Sequence, residues 1–82
     1  MRMQIVVLEN SFVYLGRVRR LKSGRLEITD ARCVRRWGTQ RGLGQLATDG
    51  PLAATVLDPC GRVVVEAHRV HHTIDCDEGK WR

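Results

Sequence analysis

The chain has 82 residues, of which 43% are hydrophobic and 5% aromatic, and its formal net charge is +5. This length predicts one small domain covering residues 1–82, and the hydrophobic content excludes an intrinsically disordered chain. No apolar run approaches the roughly 18 residues of a membrane-spanning helix, so we expect no membrane partner. A domain this small buries a limited share of its surface, which predicts a homo-oligomer.

The positive charge comes almost entirely from arginine, since only Lys22 and Lys80 are lysines. Arginine presents a planar fork that matches phosphate and stacks on aromatic rings, which favours an anionic partner. The alternative is a basic surface that only aids solubility. The cysteines are odd in number, their spacing fits no zinc site, and the start MRMQIVVLEN lacks a secretory apolar run. We therefore expect a cytoplasmic protein with reduced thiols at Cys33, Cys60 and Cys76.

Short strands are predicted throughout the N-terminal half. Alternating and β-branched residues indicate strands over residues 3–8, 12–20 and 25–29, with turns at 9–11 and 22–24. Gly16 inside the second strand predicts a bend or a close backbone approach. The third strand is either continued or bulged by the next three residues, and a further extended piece follows over residues 33–37.

A short helix is predicted within residues 39–50. Leu43, Leu46 and Ala47 recur at helical spacing, Thr39 or Gly42 caps the start, and Gly50-Pro51 ends it. Further strands are predicted over residues 54–57, 62–65 and 70–76, with a turn at Asp58-Pro59-Cys60-Gly61. This pattern predicts a mainly β fold, a small five-stranded barrel with one short inserted α-helix. The predicted core includes Leu26, Ile28, Val63, Val65, Val70 and Ile74.

Part of the chain resembles the Sm-like proteins. LGRVRRLKSGRLEITDA resembles their first motif, with a glycine after an apolar residue, a turn, and alternating apolar residues ending in Asp-Ala. VVVEAHRVHHTID resembles the closing strands of the same fold. The resemblance implies an Sm-like barrel of the kind that forms rings and binds nucleic acid. The Arg-Gly pair of the second Sm motif is missing, so RNA binding is not carried over.

The second half of the chain resembles another group of proteins. The string RRWGT..GLG.LA..GP....VLD..G.V.V....V...IDCDE.KW is similar to a family of small bacteriophage and prophage proteins. This resemblance covers most of the chain after Ala31. It implies a phage setting and a bacterial host cell, and it implies no particular chemistry.

The stretch RRWGTQRGLG, residues 35–44, combines the groups that nucleotide binding needs. Arginines make bidentate contacts to phosphate, an indole stacks on a base, and glycines and a helix start expose backbone amides. The predicted ligand-binding residues are Arg35, Arg36, Trp37, Gly38, Thr39, Arg41, Gly42 and Gly44. The alternative is a connecting loop whose tryptophan packs under the helix and whose glycines set turns.

Other polar groups are interpreted as structural or surface features. The basic hairpin over residues 17–25 fits a solvated, charge-protected edge. The acidic segment over residues 75–78 fits pairing with arginines of a neighbouring subunit better than cation binding. No nucleophile is fixed beside a base, so we predict no enzyme, no cofactor and no metal site. The histidines expected at the surface are His68, His71 and His72.

These features predict a non-enzymatic phage protein that binds and sequesters a nucleotide-type, phosphate-bearing ligand. By analogy with small phage proteins that act as decoys, the ligand would be a host immune signalling molecule, such as a cyclic nucleotide or an ADP-ribose derivative. One alternative is an Sm-like barrel that binds nucleic acid. Another alternative is a structural virion or assembly protein.

Overall fold

The structure is a computed structural model, and it describes residues 2–81. Its strands are β1 (Arg2–Leu8), β2 (Val13–Arg20), β3 (Leu26–Arg36), β4 (Val56–Val65) and β5 (Val70–Asp75). They form one antiparallel sheet in the order β4-β3-β2-β1-β5. Helix α1 (Leu43–Asp49) lies between β3 and β4, and a 3-10 turn (Ala67–Arg69) joins β4 to β5. The predicted mainly β fold with five strands and one inserted helix is confirmed.

The third strand is longer than predicted because a bulge joins two extended pieces. β3 has 11 residues, and its pairing shifts on both sides next to Asp30, whose φ is 52°. A bulge of this kind bends a strand without ending it. The close approach predicted at Gly16 is also present, because a Cβ built there would lie 2.6 Å from Cγ2 of Ile28.

The turn predicted at Asp58-Pro59-Cys60-Gly61 is wrong. These residues lie inside β4, which runs unbroken beside β3, so the two short strands predicted on either side form one strand. Proline is tolerated because β4 is an outer strand of the sheet, where an amide facing solvent is not needed for pairing. Gly61, at φ 74°, takes up the irregularity as a bulge.

Apolar side chains are buried on both faces of the sheet. On one face, α1 and the C-terminal segment cover the helix-covered core, which comprises Met3, Ile5, Val13, Leu15, Val34, Leu43, Leu46, Ala47, Cys76 and Trp81. On the other face lies the five-strand core, which comprises Val6, Leu8, Ile28, Ala31 and Val65, with the fringe residues Tyr14, Val18, Leu26, Val63 and Val70.

The five-strand core shows how strongly the sheet bends. It draws side chains from all five strands, including the two outer strands β4 and β5. Within residues 2–81 these outer strands do not pair with each other, so the sheet is open along that seam. None of the helices in the same residues has the length and apolar character needed to cross a lipid bilayer.

Candidate functional site

The loop between β3 and α1 holds the only tryptophan that reaches solvent among the described residues. Trp37 directly follows β3, and 44% of its surface is exposed. Its backbone carbonyl accepts a 2.8 Å hydrogen bond from Oγ1 of Thr55. A Cβ built on Gly42 would lie 3.8 Å from Cζ3 of the indole, an ordinary contact distance, so Gly42 lies next to the ring without being required there by crowding. Trp37 is therefore anchored through its backbone while its ring remains accessible.

The loop already uses several of the donors that the sequence suggests for a ligand. Oε1 of Gln45 accepts the amides of Gln40 and Arg41, at 3.1 and 2.8 Å. The hydroxyl of Thr39 donates to the carbonyl of Gly42 at 2.8 Å. Sequence reasoning missed Gln45, although a side-chain acceptor four residues after Arg41 was visible in the sequence. These bonds hold the loop backbone in place and occupy the Arg41 amide and the Thr39 hydroxyl.

The predicted arginines lie in two separate recesses. Arg35 and Arg36 line a recess of about 250 Å³ together with Val56. Arg41 and Gly44 line another, of about 310 Å³, together with side chains of α1. The structure thus brings the first two arginines together and places the third elsewhere.

These arginines also differ in their partners. Arg35 pairs with Asp58 on β4, with 2.9 Å between Nε and Oδ2, and both side chains are largely exposed. Neither Arg36 nor Arg41 makes an ion pair with any residue in the described part of the chain. Gly38 packs directly against the backbone of Ala54 and Thr55, where it has a structural role. The free positive charge of the loop therefore comes from Arg36 and Arg41.

The basic residues of the β2–β3 hairpin are more structured than predicted. Glu27 is only 7% exposed, and its carboxylate forms ion pairs with Arg62 of β4 and Arg19 of β2. The distance from Nε of Arg19 to Oε1 of Glu27 is 2.7 Å. The hydrogen bonds from Arg62 and Arg19, in that order, hold the pKa of Glu27 below its ordinary value of 4.5. This carboxylate links β2, β3 and β4 on one face of the sheet.

Two acidic residues near the C-terminus form ion pairs with arginines of the same chain. Asp75 pairs with Arg2 at 2.8 Å, and Glu78 pairs with Arg17 at 3.0 Å. The amide of Met3 also donates to Glu78 at 2.8 Å. These intramolecular pairs differ from the predicted pairing with a neighbouring subunit.

The cysteines and histidines form no larger cluster. Cys33, Cys60 and Cys76 are free thiols, and burial raises the pKa of Cys76 to about 11. His71 and His72 are exposed, with their Nδ1 atoms 2.7 Å apart. No three His, Cys, Asp or Glu side chains among residues 2–81 are grouped closely enough to hold a metal ion.

Comparisons of the chain with protein-family models, with curated proteins and with solved structures find no match. The two resemblances noted in the sequence stay predictions. The features that bear on function are therefore the exposed indole of Trp37 with the unpaired Arg36 and Arg41, and the sheet arginines Arg17, Arg19 and Arg62, which are paired with Glu78 and Glu27.

Proposed function

We propose that this chain is a non-enzymatic protein that binds and sequesters a nucleotide-type, phosphate-bearing ligand on the loop over residues 35–44. The observation that carries the proposal is the exposed ring of Trp37, which follows Arg36 directly in the chain, since Arg36 and Arg41 make no ion pair with the described residues. The chain has few aromatic residues, and Trp37 and Phe12 are the two whose rings are largely exposed among the described residues, at 44% and 54%.

Each part of such a ligand has a counterpart in the loop. Stacking a base on an indole is worth about 1–3 kcal/mol, and it needs only an open ring face. A phosphate accepts charge-assisted hydrogen bonds worth about 1.5–3 kcal/mol each from guanidinium groups such as Arg36. The recess of Arg35 and Arg36 adjoins Trp37 in the chain, whereas Arg41 approaches from the α1 side. The loop's internal hydrogen bonds fix its backbone before the ligand arrives, which reduces the entropy lost on binding.

The proposed biological role rests on the resemblance to phage proteins noted in the sequence. We propose that the ligand is a host immune signalling molecule and that the chain acts in the cytoplasm of a bacterial host as a phage decoy. Sequestration needs affinity and stoichiometry and no turnover, which fits a loop built from an indole and guanidinium groups.

We also propose that the sheet is an Sm-like barrel with an open seam and that copies associate through the outer strands. Two observations support this. All five strands contribute to the five-strand core, and β4 and β5 each leave one edge without a partner within the described residues. Unpaired strand edges are ready templates for pairing with another chain.

A tryptophan fluorescence titration tests the binding proposal. The buried Trp81 and the exposed Trp37 emit in different environments, and quenching that is present in the wild type and lost in W37F is assigned to the exposed ring. Cyclic AMP and ADP-ribose are the first probes. We expect saturable quenching, and the double variant R36A/R41A should weaken binding about tenfold or more.

The variant R25A is the matched control, because Arg25 is an exposed arginine of the β2–β3 turn. It should bind like the wild type. Absence of quenching by every probe, or equal affinity in R36A/R41A, would overturn the proposal. Tighter binding of single-stranded RNA with a steep salt dependence would instead establish the nucleic-acid alternative, which the arginine-rich face of β2 and β3 favours.

A further inference from the structure

We propose that a second recess, on the helix-covered face of the sheet, is a binding site for a small phosphate ester that carries a hydroxyl group. The recess has a volume of about 550 Å³ and lies between β2, β3, β4 and Trp81. It shares no lining residue with the loop over residues 35–44. The inference is therefore independent of the proposed function.

The recess exists because two strands bulge at the same level of the sheet. The β3–β4 pairing is interrupted between Ile28 and Ala31, where Asp30 has φ 52° and Gly61, opposite Ala31, has φ 74°. A non-glycine residue at positive φ is uncommon and persists only when its surroundings require it. Bulges are frequent beside functional sites because they redirect side chains. Here they open the sheet face and place the side chain of Asp30 at the rim of the recess.

Arg32 is the principal anion-binding group. Its guanidinium Cζ lies 5.5 Å from the centroid of the Trp81 ring, in a cation–π contact. It is only partly exposed, and it makes no ion pair or side-chain hydrogen bond with any residue of the described chain. A partly desolvated guanidinium whose donors are unused gains strongly from an oxyanion. Trp81 is fixed by its own hydrogen bonds to α1, so Arg32 is held in place before a ligand arrives.

Arg17 and Asp30 determine what kind of anion fits. Arg17 lines the same recess and is oriented by Glu78, which it contacts through one guanidinium nitrogen at 3.0 Å. Its other donors remain for a ligand. Asp30 adds one carboxylate at the rim. That charge repels an extended polyanion and accepts a hydrogen bond from a hydroxyl. The combination favours one phosphate group on a hydroxyl-bearing skeleton over a nucleic-acid strand.

The test uses the W37F variant, in which Trp81 is the only tryptophan and the loop has lost its indole. Its fluorescence therefore reports on the recess alone, and failure at the loop cannot be mistaken for failure here. Ribose 5-phosphate is the probe. We expect a saturable change in Trp81 emission, and W37F/R32Q should bind about tenfold more weakly or worse. The matched control W37F/R25Q should retain the parent affinity.

Several outcomes would overturn the site. They are no saturable change in the W37F protein, equal affinity in W37F/R32Q, and an equal loss in the R25Q control. If W37F/R32Q fails to show a cooperative thermal transition, W37F/R32K replaces it. Lysine keeps the charge and loses the fork, so we expect weaker binding, and unchanged affinity would contradict the assignment. Inorganic phosphate should bind more weakly than ribose 5-phosphate, and a short oligonucleotide binding more tightly than either would refute the ligand class.

Discussion

The two tryptophans of this chain occupy opposite environments. Trp37 ends β3 with 44% of its surface exposed, whereas Trp81 is 1% exposed and belongs to the helix-covered core. The indole of Trp81 donates to the carbonyls of Leu46 and Ala47, at 3.2 and 3.1 Å. Trp37 contributes only a backbone carbonyl to the hydrogen bonds that hold its loop. The ring of Trp81 is therefore part of the core, whereas the ring of Trp37 is accessible to a partner.

The two rings are held by different neighbours. The carbonyls of Leu46 and Ala47, near the end of α1, already accept the backbone amides of Gly50 and Asp77, at 3.0 and 2.9 Å. The indole of Trp81 adds a further donor to the same carbonyls and brings a large apolar surface into the helix-covered core. The loop of Trp37 is held instead by hydrogen bonds of Gln45 and Thr39.

Replacing each tryptophan with alanine gives the largest expected contrast. W81A removes a fully buried ring and the hydrogen bond that its single N–H shares between two carbonyls, so we expect the free energy of unfolding to fall by about 3–5 kcal/mol. That is a large part of the roughly 5–15 kcal/mol that stabilises a typical domain. W37A should change it by about 0.5 kcal/mol or less. Urea denaturation followed by circular dichroism measures both, and similar losses in the two variants would contradict these assignments.

Gly50 and Gly44, at the end and near the start of α1, should respond differently to substitution by alanine, with smaller effects on stability than W81A. Gly50 ends α1 at φ 80°, and a Cβ built there would lie 2.8 Å from the carbonyl oxygen of Lys80, next to Trp81. G50A should therefore cost about 2–3 kcal/mol through strain and displacement of the C-terminal segment. Gly44, a predicted ligand residue, has nothing within 4 Å of such a Cβ. G44A should be neutral or stabilise α1 by up to about 1 kcal/mol. Thermal melts of both variants check this, and a destabilised G44A would show a packing constraint at Gly44 that the structure lacks.

Local sequence patterns predict the elements whose signals are local. The periodicity of Leu43, Leu46 and Ala47 and the stop at Gly50 locate α1. A short apolar run with β-branched residues locates β1, and alternation locates β2. The continuity of β4 is not a local property. A proline and a glycine signal a turn in isolation, and they are accommodated here because β4 lies at an edge of the sheet. Whether these residues form a turn or a strand depends on the position of β4 in the sheet, which is set by pairing between distant parts of the chain.

The candidate sites show the same division. The basic, glycine-rich character of residues 35–44 is visible in the sequence, whereas the exposure of Trp37 is visible only in the structure. The partners of each arginine are not. Arg35 meets Asp58 across a strand pair, and Arg32 meets Trp81 from the far end of the chain. Such contacts join residues that are distant in sequence, so they cannot be predicted from periodicity or spacing.

The smallest expected effect concerns Glu78, whose carboxylate attaches the C-terminal segment near Trp81 to β1 and β2. The amide of Met3, followed by Arg17, holds the pKa of Glu78 below its ordinary value of 4.5. Because the unfolded chain takes up this proton first as the pH falls, stability is lost from about that ordinary value down through the folded pKa. E78Q removes this proton uptake, so its urea midpoint should fall less between about pH 5 and about pH 3 than that of the wild type.

The control for E78Q is E9Q, because Glu9 is exposed and its carboxylate accepts no hydrogen bond from another residue between 2 and 81. Its acid profile should follow that of the wild type. At neutral pH, E78Q should be less stable than the wild type, because glutamine resembles the protonated carboxyl and loses the ion pair with Arg17, and the two proteins should approach each other in stability as the pH falls. If E78Q and the wild type lose stability in parallel on acidification, the contact of Glu78 with β1 and Arg17 does not anchor the segment. The burial of Trp81 would then depend on its packing in the helix-covered core and on the backbone hydrogen bonds of Cys76 and Asp77.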